Sequence, residues 1–295
     1  MPKIVRFPDF LCIGAQKAGT SWLHRNLRQH SRLWLPVIKE LHYFDKSWVF
    51  HPSIPDVRKR MWYMRTRSLL RRLKRGRPLD DPEVKWLIRY LFLPRNDRWY
   101  GSLFPADPNL IVGEVTPAYA ILDANVVARM AALMPRAKII YILRNPIDRS
   151  WSATAMNLEH RRNMHIDLAS DDEIWSTWNT NRSVERADYV RHISLWRRHF
   201  GEDNMFIGFF DELSADPATF LRRVLDFLGV ESSDENVPAG VRDPVGARPY
   251  DAIPDRHLRR LADLHLDSIR SIHAGLPNAH TRKWLEMAVQ YASPG

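Results

Sequence analysis

Gly14-Ala-Gln-Lys-Ala-Gly-Thr-Ser21 is the most informative segment of this sequence for the fold. A phosphate loop of the Walker type has a glycine, four further residues and then Gly-Lys-Ser/Thr. Gly14 and Gly19 have that spacing, but Thr20 stands at the lysine position and the lysine is Lys17, inside the loop. The segment can therefore surround an anion, with its lysine on a different side from that of a Walker loop.

Both flanks of this stretch have patterns that predict a strand followed by a helix. Phe10–Ile13 is a short apolar run, which is typical of a buried parallel strand. Trp22, Leu23 and Leu27 then recur at helical spacing. A strand, a glycine-rich turn and a helix N-terminus form an anion site, because free backbone N–H groups and the helix dipole both favour a phosphate. An ordinary glycine-containing turn between strand and helix is the alternative.

The composition is that of a soluble globular protein. The 295 residues are 45% hydrophobic, and no run of about 18 apolar residues predicts a membrane span. Cys12 is the single cysteine, so we expect a buried thiol and no internal disulfide. The cysteine and histidine spacings of zinc sites are absent, and we expect no metal. Because the first predicted strand follows the N-terminus at once, we expect no signal peptide and a cytoplasmic protein.

The net charge of +10 comes from one segment. Arg58–Arg77 holds ten basic residues and no acidic one, so the rest of the chain is balanced. Leu69, Leu70 and Leu73 in this segment fit one helical face, which predicts a basic amphipathic helix. Such a helix can contact an anionic lipid surface, an acidic glycan or nucleic acid. A solvated face whose long side chains cover the apolar residues is the alternative.

Four apolar runs are predicted to be core strands, and helical patterns separate them. The strands are Phe10–Ile13, Leu110–Val112, Lys138–Leu143 and Met205–Phe210, and the helices between them include Asn125–Leu133 and Ala218–Leu228. Alternating strands and helices favour an α/β fold with a P-loop-like, doubly wound parallel sheet flanked by helices. No linker divides the sequence, so we expect residues 1–295 to form a single domain.

Residues 46–105 interrupt this alternation and are interpreted as an insertion after the first strand–helix unit. We expect its aromatic residues to shape a binding cleft or to pack among themselves; they are Trp48, Trp62, Trp86, Trp99 and Tyr100. Residues 231–256 are polar and contain four prolines, which predicts a long loop. A helix over His257–His273 is expected to close the chain.

A second anion site is predicted at the end of the strand Lys138–Leu143. Arg144 lies at the carboxyl tip of that strand, where open α/β sheets bind ligands. Asn145 and Pro146 suit the cap and the first turn of a following helix, and Ser152 lies two turns into it. A guanidinium and a hydroxyl so placed can hold one phosphate together. The alternative is a surface ion pair between Arg144 and Asp148.

Two anion sites at strand ends of one sheet suit a ligand with two separated phosphates. ATP carries its phosphates in one chain and does not need such a pair. Gln16-Lys-Ala-Gly-Thr-Ser-Trp22 resembles the 5′-phosphosulfate loop of the sulfotransferases that use 3′-phosphoadenosine-5′-phosphosulfate (PAPS), and Arg144 with Ser152 resembles their 3′-phosphate motif. The resemblance implies PAPS as the cofactor, bound by Gln16, Lys17, Ala18, Gly19, Thr20, Ser21, Trp22, Arg144, Ser152 and Arg248.

Lys39-Glu-Leu-His-Tyr-Phe-Asp45 is similar to the glycan-modifying branch of that family, which includes heparan sulfate sulfotransferases and bacterial relatives. The resemblance implies that Glu40 is the catalytic base and that His42 is a second base or a substrate contact. A carboxylate paired with Lys39 or Arg25 is the alternative for Glu40. That branch has a lysine where this chain has Val115, so a lysine-assisted contact to the acceptor is in doubt. Arg248 matches the family's late basic loop only loosely.

The resemblance implies direct in-line transfer of a sulfuryl group to a hydroxyl or amine. Glu40 would take the acceptor's proton, and Lys17 would stabilise charge on the leaving phosphate. The acceptor is a carbohydrate, a glycolipid or a small natural product. The alternatives are a P-loop nucleotide kinase and a non-catalytic basic protein that binds anions or membranes. We expect no specific nucleic-acid partner, and peripheral membrane contact through residues 58–77 stays open, as does the oligomeric state.

Overall fold

The computed structural model describes residues 5–45, 66–178, 181–245 and 252–293. Within them a five-stranded sheet, with every neighbouring pair parallel, has the order β2-β3-β1-β4-β5. The strands are β1 (Phe10–Gly14), β2 (Leu33–Trp34), β3 (Ile111–Val115), β4 (Lys138–Leu143) and β5 (Met205–Phe209). The predicted α/β fold is confirmed, and the two-residue strand β2 is an addition to it.

Helices connect and flank the strands, as the alternating pattern predicts. They are α1 (Thr20–Leu27), α2 (66–74), α3 (Pro82–Phe92), α4 (Asp97–Gly101), α5 (Ala124–Leu133), α6 (Pro146–Arg162), α7 (Asp171–Ser176), α8 (Asn181–Glu185), α9 (Tyr189–Phe200), α10 (Phe210–Ala215), α11 (Pro217–Leu228), α12 (Asp255–Gly275) and α13 (Ala279–Tyr291). In the part of the chain that the structure describes, no helix is long and apolar enough to cross a membrane.

The central strand β1 decides where ligands can bind. It pairs with β3 on one side and with β4 on the other, so the chain leaves the sheet in opposite directions on its two sides. In open α/β sheets such a switch of strand order creates a crevice at the carboxyl ends of the strands. The glycine loop that follows β1 lies in this crevice, between the ends of β3 and β4.

Some predicted boundaries were wrong. The strand predicted to end at Phe210 ends one residue earlier, because Phe210 begins α10. The helix predicted to close the chain is followed by α13. Asn278 starts that last helix, since its side chain accepts hydrogen bonds from the backbone N–H groups of His280 and Thr281 at 2.8 and 3.1 Å. Trp284 on α13 is buried, so this helix packs against the core.

The described part of the insertion packs its aromatic residues into the main hydrophobic core. Trp86, Trp99 and Tyr100 are buried, and both indoles donate to backbone carbonyls, at 2.8 and 2.9 Å. Packing is therefore the role the structure gives these three rings. Trp48 and Trp62, and residues 46–65 as a whole, lie outside the described residues, so a role of the insertion in a cleft stays a prediction.

Helix α2 carries the described half of the basic segment. Leu69 is buried and Leu73 packs against the core, but Leu70 is 54% exposed, so the predicted three-leucine face was wrong. Adjacent helical residues point about 100° apart, which separates Leu70 from Leu69. The Glu83 carboxylate lies 3.1 Å from Arg72 and 3.9 Å from Arg28. Because Arg28 follows the last residue of α1, α2 lies at the opposite end of α1 from the glycine loop.

The polar segment after α11 is anchored to α1. It contains two short 3-10 turns, Asp234–Asn236 and Ala239–Arg242, and it ends where α12 begins. The Trp22 indole donates to the Val241 carbonyl at 2.7 Å, and Arg25 donates to the Gly240 carbonyl at 2.7 Å. Arg248 falls outside the described residues.

Candidate active site

The glycine loop is built as an anion-binding turn. Gly14 ends β1, and the Ala15 N–H donates to the Ile142 carbonyl at 2.7 Å, which fixes the loop to β4. Gly19 has the left-handed φ of 78° and caps α1 without a side chain that could accept from the first turn. The N–H groups at the start of α1 are therefore available to a ligand, and the helix dipole favours an anion there.

Lys17 and Arg144 are brought together at the carboxyl ends of β1 and β4. The Arg144 guanidinium donates to the Lys17 carbonyl at 2.7 Å and stacks over the Phe210 ring at 4.5 Å. The Tyr189 hydroxyl donates to the Arg144 carbonyl at 2.8 Å, which fixes the strand tip. The Lys17 ammonium lies 3.9 Å from the Met156 sulfur on α6. The two predicted anion sites are thus neighbours in one crevice.

Arg144 does not form the surface ion pair that was the alternative for it. Among the described residues, Asp148 is not within ion-pair distance of Arg144. The Arg144 Nε is buried and has no hydrogen-bond partner in the described structure. An unpaired buried donor of a charged group is unfavourable, so a ligand oxygen at this position would satisfy it. This agrees with a phosphate site.

The other predicted donor-binding residues lie around the same loop. Asn145 caps α6 by accepting from the Ile147 N–H at 3.0 Å, which confirms the predicted start of that helix. Ser152 lies on α6 and is 4% exposed. Ala18 and Thr20 are buried, and Ser21 is exposed at the start of α1. The Trp22 ring packs edge-on against Phe220, so its contact with a cofactor stays a prediction.

Glu40, His42 and Asp45 form a chain of charged groups beside β3. The Glu40 carboxylate lies 2.5 Å from the Lys39 ammonium and 3.3 Å from the His42 Nε2. The other ring nitrogen of His42 lies 2.7 Å from the Asp45 carboxylate. The Glu40 N–H donates to the Val115 carbonyl at 3.0 Å, so this row of charged groups is fixed to the end of β3.

The pKa values of Glu40 and His42 distinguish the two candidate bases. Burial alone would raise the pKa of Glu40, but His42 and Lys39 outweigh it and lower the pKa to about 2. Burial would likewise lower the pKa of His42, but Asp45 and Glu40 outweigh it and raise the pKa to about 9. At neutral pH Glu40 is therefore a carboxylate that can accept a proton, whereas His42 already carries one.

Backbone strain marks the same residues. Lys17, Glu40 and His42 have positive φ values of 70°, 65° and 55°, and Asn163 is the other non-glycine residue with a positive φ among the described ones. This conformation is unfavourable for residues with a side chain and concentrates at functional sites. Three of the four strained residues are those that the sequence assigned to the chemistry.

Asp45→Asn should destabilise the protein by about 2 kcal/mol at pH 6 and by much less at pH 10. The pKa of His42 is raised from 6.5 to about 9, so its ion pair stabilises the fold fully below pH 6.5. That contribution is lost as the pH rises through about 9. Urea unfolding at both pH values measures the difference, with the exposed Asp203→Asn as the control. An equal loss at both pH values would mean that His42 is uncharged in the folded protein.

Glu114 and Val115 are buried at the end of β3, where they form hydrogen bonds within the fold. Glu114 is fully buried and accepts hydrogen bonds from the hydroxyls of Tyr100 and Thr116, the latter at 2.6 Å. Burial raises the pKa of this carboxyl, with the hydroxyl donors acting against it. Val115 is buried and contributes its carbonyl to Glu40. The site is therefore arranged without a side-chain cation at position 115.

Two residues of the site were missed by sequence reasoning. Asp45 was quoted only as the end of a motif, yet it holds the His42 ring. Arg186 donates to the Gln16 side-chain carbonyl and so connects α8 to the glycine loop. The separation of 170 residues between those two partners leaves no local pattern to find. The three-residue spacing of His42 and Asp45 does not predict their contact, because the backbone of this segment is neither a regular helix nor a regular strand.

The geometry defines a class of protein, and comparison with known proteins agrees. Residues 7–243 match the family model described as "Sulfotransferase domain". This match covers well over half of the chain, so the chain belongs to the sulfotransferase family, a family of group-transfer enzymes. The resemblance noted from the two phosphate motifs is confirmed at the level of the family.

The curated relatives place the chain near the glycan-modifying branch. It is 26% identical over 232 residues to heparan sulfate glucosamine 3-O-sulfotransferase 3B1 of Mus musculus, covering 77% of this chain and 47% of that protein. It is 29% identical over 240 residues to bifunctional heparan sulfate N-deacetylase/N-sulfotransferase 2 of Homo sapiens, covering 76% of this chain and 22% of that protein. The chain thus spans half or less of the length of these relatives.

Solved structures support the fold. A sulfotransferase from Alicyclobacillus acidocaldarius matches with a TM-score of 0.61 and 23% identity, covering 95% of this chain and 99% of the other. The sulfotransferase domain of the Synechococcus PCC 7002 olefin synthase matches with a TM-score of 0.52 and 16% identity, covering 99% and 96%. At these identities the likeness concerns the architecture of the chain.

Proposed function

We propose that this protein transfers a sulfuryl group from PAPS to a hydroxyl or amine of a carbohydrate, glycolipid or small natural product. The observation that carries the proposal is the hydrogen bond between Arg144 and the Lys17 carbonyl. It joins two anion sites at one edge of the sheet, which suits a donor that carries phosphate groups on the 3′ and 5′ positions of one ribose. The heparan sulfate relatives favour a carbohydrate among the three acceptor classes.

The residues of the crevice fit the donor. The uncapped start of α1 provides N–H groups for the 5′-phosphosulfate, together with the hydroxyls of Thr20 and Ser21. The buried, unpartnered Nε of Arg144 provides a donor for the 3′-phosphate, with Ser152 on the adjoining helix. The bound donor supplies an activated sulfuryl group, and the protein supplies positioning and charge.

The proposed base and the proposed cation come from two sides of β1: Glu40 is bonded to the end of β3, and the Lys17 ammonium lies beside α6, which follows β4. Glu40 accepts the proton of the attacking hydroxyl or amine as the new bond to sulfur forms. The bond from sulfur to the phosphate oxygen breaks, and Lys17 stabilises the negative charge that develops on that oxygen. His42, held by Asp45, orients Glu40 at 3.3 Å. Positioning and electrostatics supply most of the catalysis, as in phosphoryl transfer.

Thermal unfolding with two ligands tests the proposal against a nucleotide kinase. A ligand at about 100 times its dissociation constant stabilises the folded state by about 2.7 kcal/mol. We expect adenosine 3′,5′-bisphosphate to do this and Mg-ATP to have no effect. Mass spectrometry of an acceptor panel incubated with PAPS then detects the transferred sulfuryl group. Stabilisation by Mg-ATP alone, or no transfer to any acceptor class, would count against the proposal.

Arg144→Ala should weaken binding of adenosine 3′,5′-bisphosphate roughly 10- to 160-fold, the equivalent of about 1.5–3 kcal/mol for a hydrogen bond to a charged group. Adenosine 5′-phosphate lacks the 3′-phosphate, so its affinity should fall much less. Isothermal titration with both nucleotides gives the two ratios, and Arg282→Ala on the exposed side of α13 is the control. Equal weakening of both nucleotides would show that Arg144 acts only through the loop.

The remaining parts of the proposal concern location and surfaces. Arg67 and Arg71 are exposed on α2, which supports contact of residues 58–77 with an anionic membrane. Such contact would lie at the far end of α1 from the crevice and would leave the crevice open to solvent. A cytoplasmic location, that membrane contact and the 3′-phosphate role of Arg248 stay predictions.

A further inference from the structure

Helix α13 reaches the carboxyl end of β4 from beyond the part of the chain that the family model matches. The match ends at residue 243, whereas α13 is Ala279–Tyr291. The Asn145 side-chain amide donates to the Met287 sulfur at 3.5 Å, and Asn145 directly follows Arg144. Trp284 is buried and lies three residues before Met287, on the same face of the helix. This face of α13 therefore borders the predicted 3′-phosphate site.

The second contact of α13 with this region is a hydrogen bond to a carboxylate. The Trp284 indole N–H donates to the Asp211 carboxylate at 3.3 Å, and the indole ring lies 5.7 Å from the Phe209 ring. Asp211 directly follows Phe210, and the Arg144 guanidinium stacks over the Phe210 ring at 4.5 Å. A negative charge held by Trp284 thus lies next to the residue on which Arg144 packs.

Two carboxylates lie near Arg144, and neither of them pairs with it. They are Asp148 in the first turn of α6 and Asp211 in the first turn of α10. Burial raises the pKa of Asp148, the charge of Arg144 lowers it, and the charge of Asp211 raises it, so the three charges act on one another. In the described part of the chain no carboxylate lies within ion-pair distance of Arg144, and its buried Nε has no hydrogen-bond partner there.

We propose that Trp284 is a positioning residue for the donor, because its hold on the Asp211 carboxylate keeps Arg144 open to the 3′-phosphate. A guanidinium pairs readily with a carboxylate, so a released Asp211 would compete with the phosphate for Arg144 and would also repel it. Trp284 acts through Asp211 and touches no reacting atom. The inference rests on the proposed function, because it concerns the contact between Arg144 and the 3′-phosphate of the donor.

Trp284→Phe tests this role, because it keeps an aromatic ring beside Phe209 but has no N–H for Asp211. Isothermal titration should show adenosine 3′,5′-bisphosphate weakened roughly three- to tenfold, less than by Arg144→Ala, since the guanidinium remains. The affinity for adenosine 5′-phosphate should change by less than about twofold, because this nucleotide has no 3′-phosphate. Trp86→Phe is the matched control, since it removes a buried indole hydrogen bond of 2.8 Å in the insertion. It should lower the melting temperature and leave the ratio of the two affinities unchanged.

A rescue experiment separates restraint of a charge from simple packing. The double variant Trp284→Phe/Asp211→Asn should bind the bisphosphate within about twofold of Asp211→Asn alone, because no carboxylate then remains to be released. Asp211→Glu keeps Trp284 and the core intact, and its longer side chain can extend past the indole toward Arg144. It should weaken the bisphosphate by roughly threefold or more and spare adenosine 5′-phosphate. This variant decides the question if Trp284→Phe does not fold.

The outcomes distinguish this inference from the proposed function. Equal weakening of both nucleotides by Trp284→Phe, an unchanged bisphosphate affinity in that variant, or no recovery in the double variant would each overturn the role of Trp284. An Asp211→Glu protein with the wild-type preference for the bisphosphate would do the same. Wild-type protein that binds the bisphosphate no more tightly than adenosine 5′-phosphate would instead refute the proposed function, because no 3′-phosphate site would then exist to be kept open.

Discussion

Lys17→Ala should lower kcat by about 10²–10³, while the dissociation constant of adenosine 3′,5′-bisphosphate should change less than tenfold. Removing one preorganised donor from developing negative charge costs about 2.7–4 kcal/mol in other enzymes. The product nucleotide, in contrast, is held by the start of α1 and by Arg144 as well as by Lys17. The loss should therefore fall on the transition state more than on the bound product.

The backbone of the loop makes this substitution a clean one. Lys17 has a φ of 70°, and alanine meets the same backbone strain as lysine, so the loop's conformation is not relaxed by the change. Lys283→Ala, exposed on α13, is the control for loss of a positive charge. Rapid-quench kinetics with PAPS gives kcat, and isothermal titration gives the nucleotide affinity. An equal loss in both quantities would contradict the assigned role.

Glu40→Gln should lower kcat by about 10²–10⁴ and leave nucleotide affinity unchanged. The amide has nearly the same volume, but it cannot take the acceptor's proton. Because the pKa of Glu40 is about 2, the wild-type carboxylate stays ionised down to low pH. The wild-type rate should therefore show no acidic limb from Glu40 between pH 5 and 7.

Two neighbouring variants separate the base from the residues that hold it. His42→Gln and Asp45→Asn leave the Glu40 carboxylate in place, so each should lower kcat by less than Glu40→Gln does. His42 already carries a proton at neutral pH, since its pKa is about 9. If Glu40→Gln keeps its activity and His42→Gln loses it, the base is His42 and the hydrogen-bond chain works in the reverse direction.

The fold was largely predictable because its strands are continuous apolar runs. β1 and β4 are buried along most of their length, which gives a signal that needs no tertiary information. β2 has two residues, too few for any periodicity, and it exists only because Leu33 and Trp34 pair with the start of β3. The helix after residue 278 depended on an asparagine cap that was not read as one.

The site was predictable where a motif joins a strand to a helix, and not elsewhere. Lys17 and Arg144 lie at strand ends, so sheet geometry alone brings them together. The contact between Glu40, His42 and Asp45 depends on an irregular segment with two left-handed residues, which periodicity does not describe.

The left-handed backbone at Lys17, Glu40 and His42 has a consequence for the history of such a chain. A non-glycine residue in this conformation costs about 1–2 kcal/mol relative to glycine. Selection for folding alone would replace these three side chains with glycine and make the molecule sturdier and inert. A related chain that still has lysine, glutamate and histidine at these positions keeps them because the reaction needs their side chains, although the backbone conformation favours glycine. The residue types at these three left-handed positions therefore distinguish related chains that keep the chemistry from related chains that have lost it.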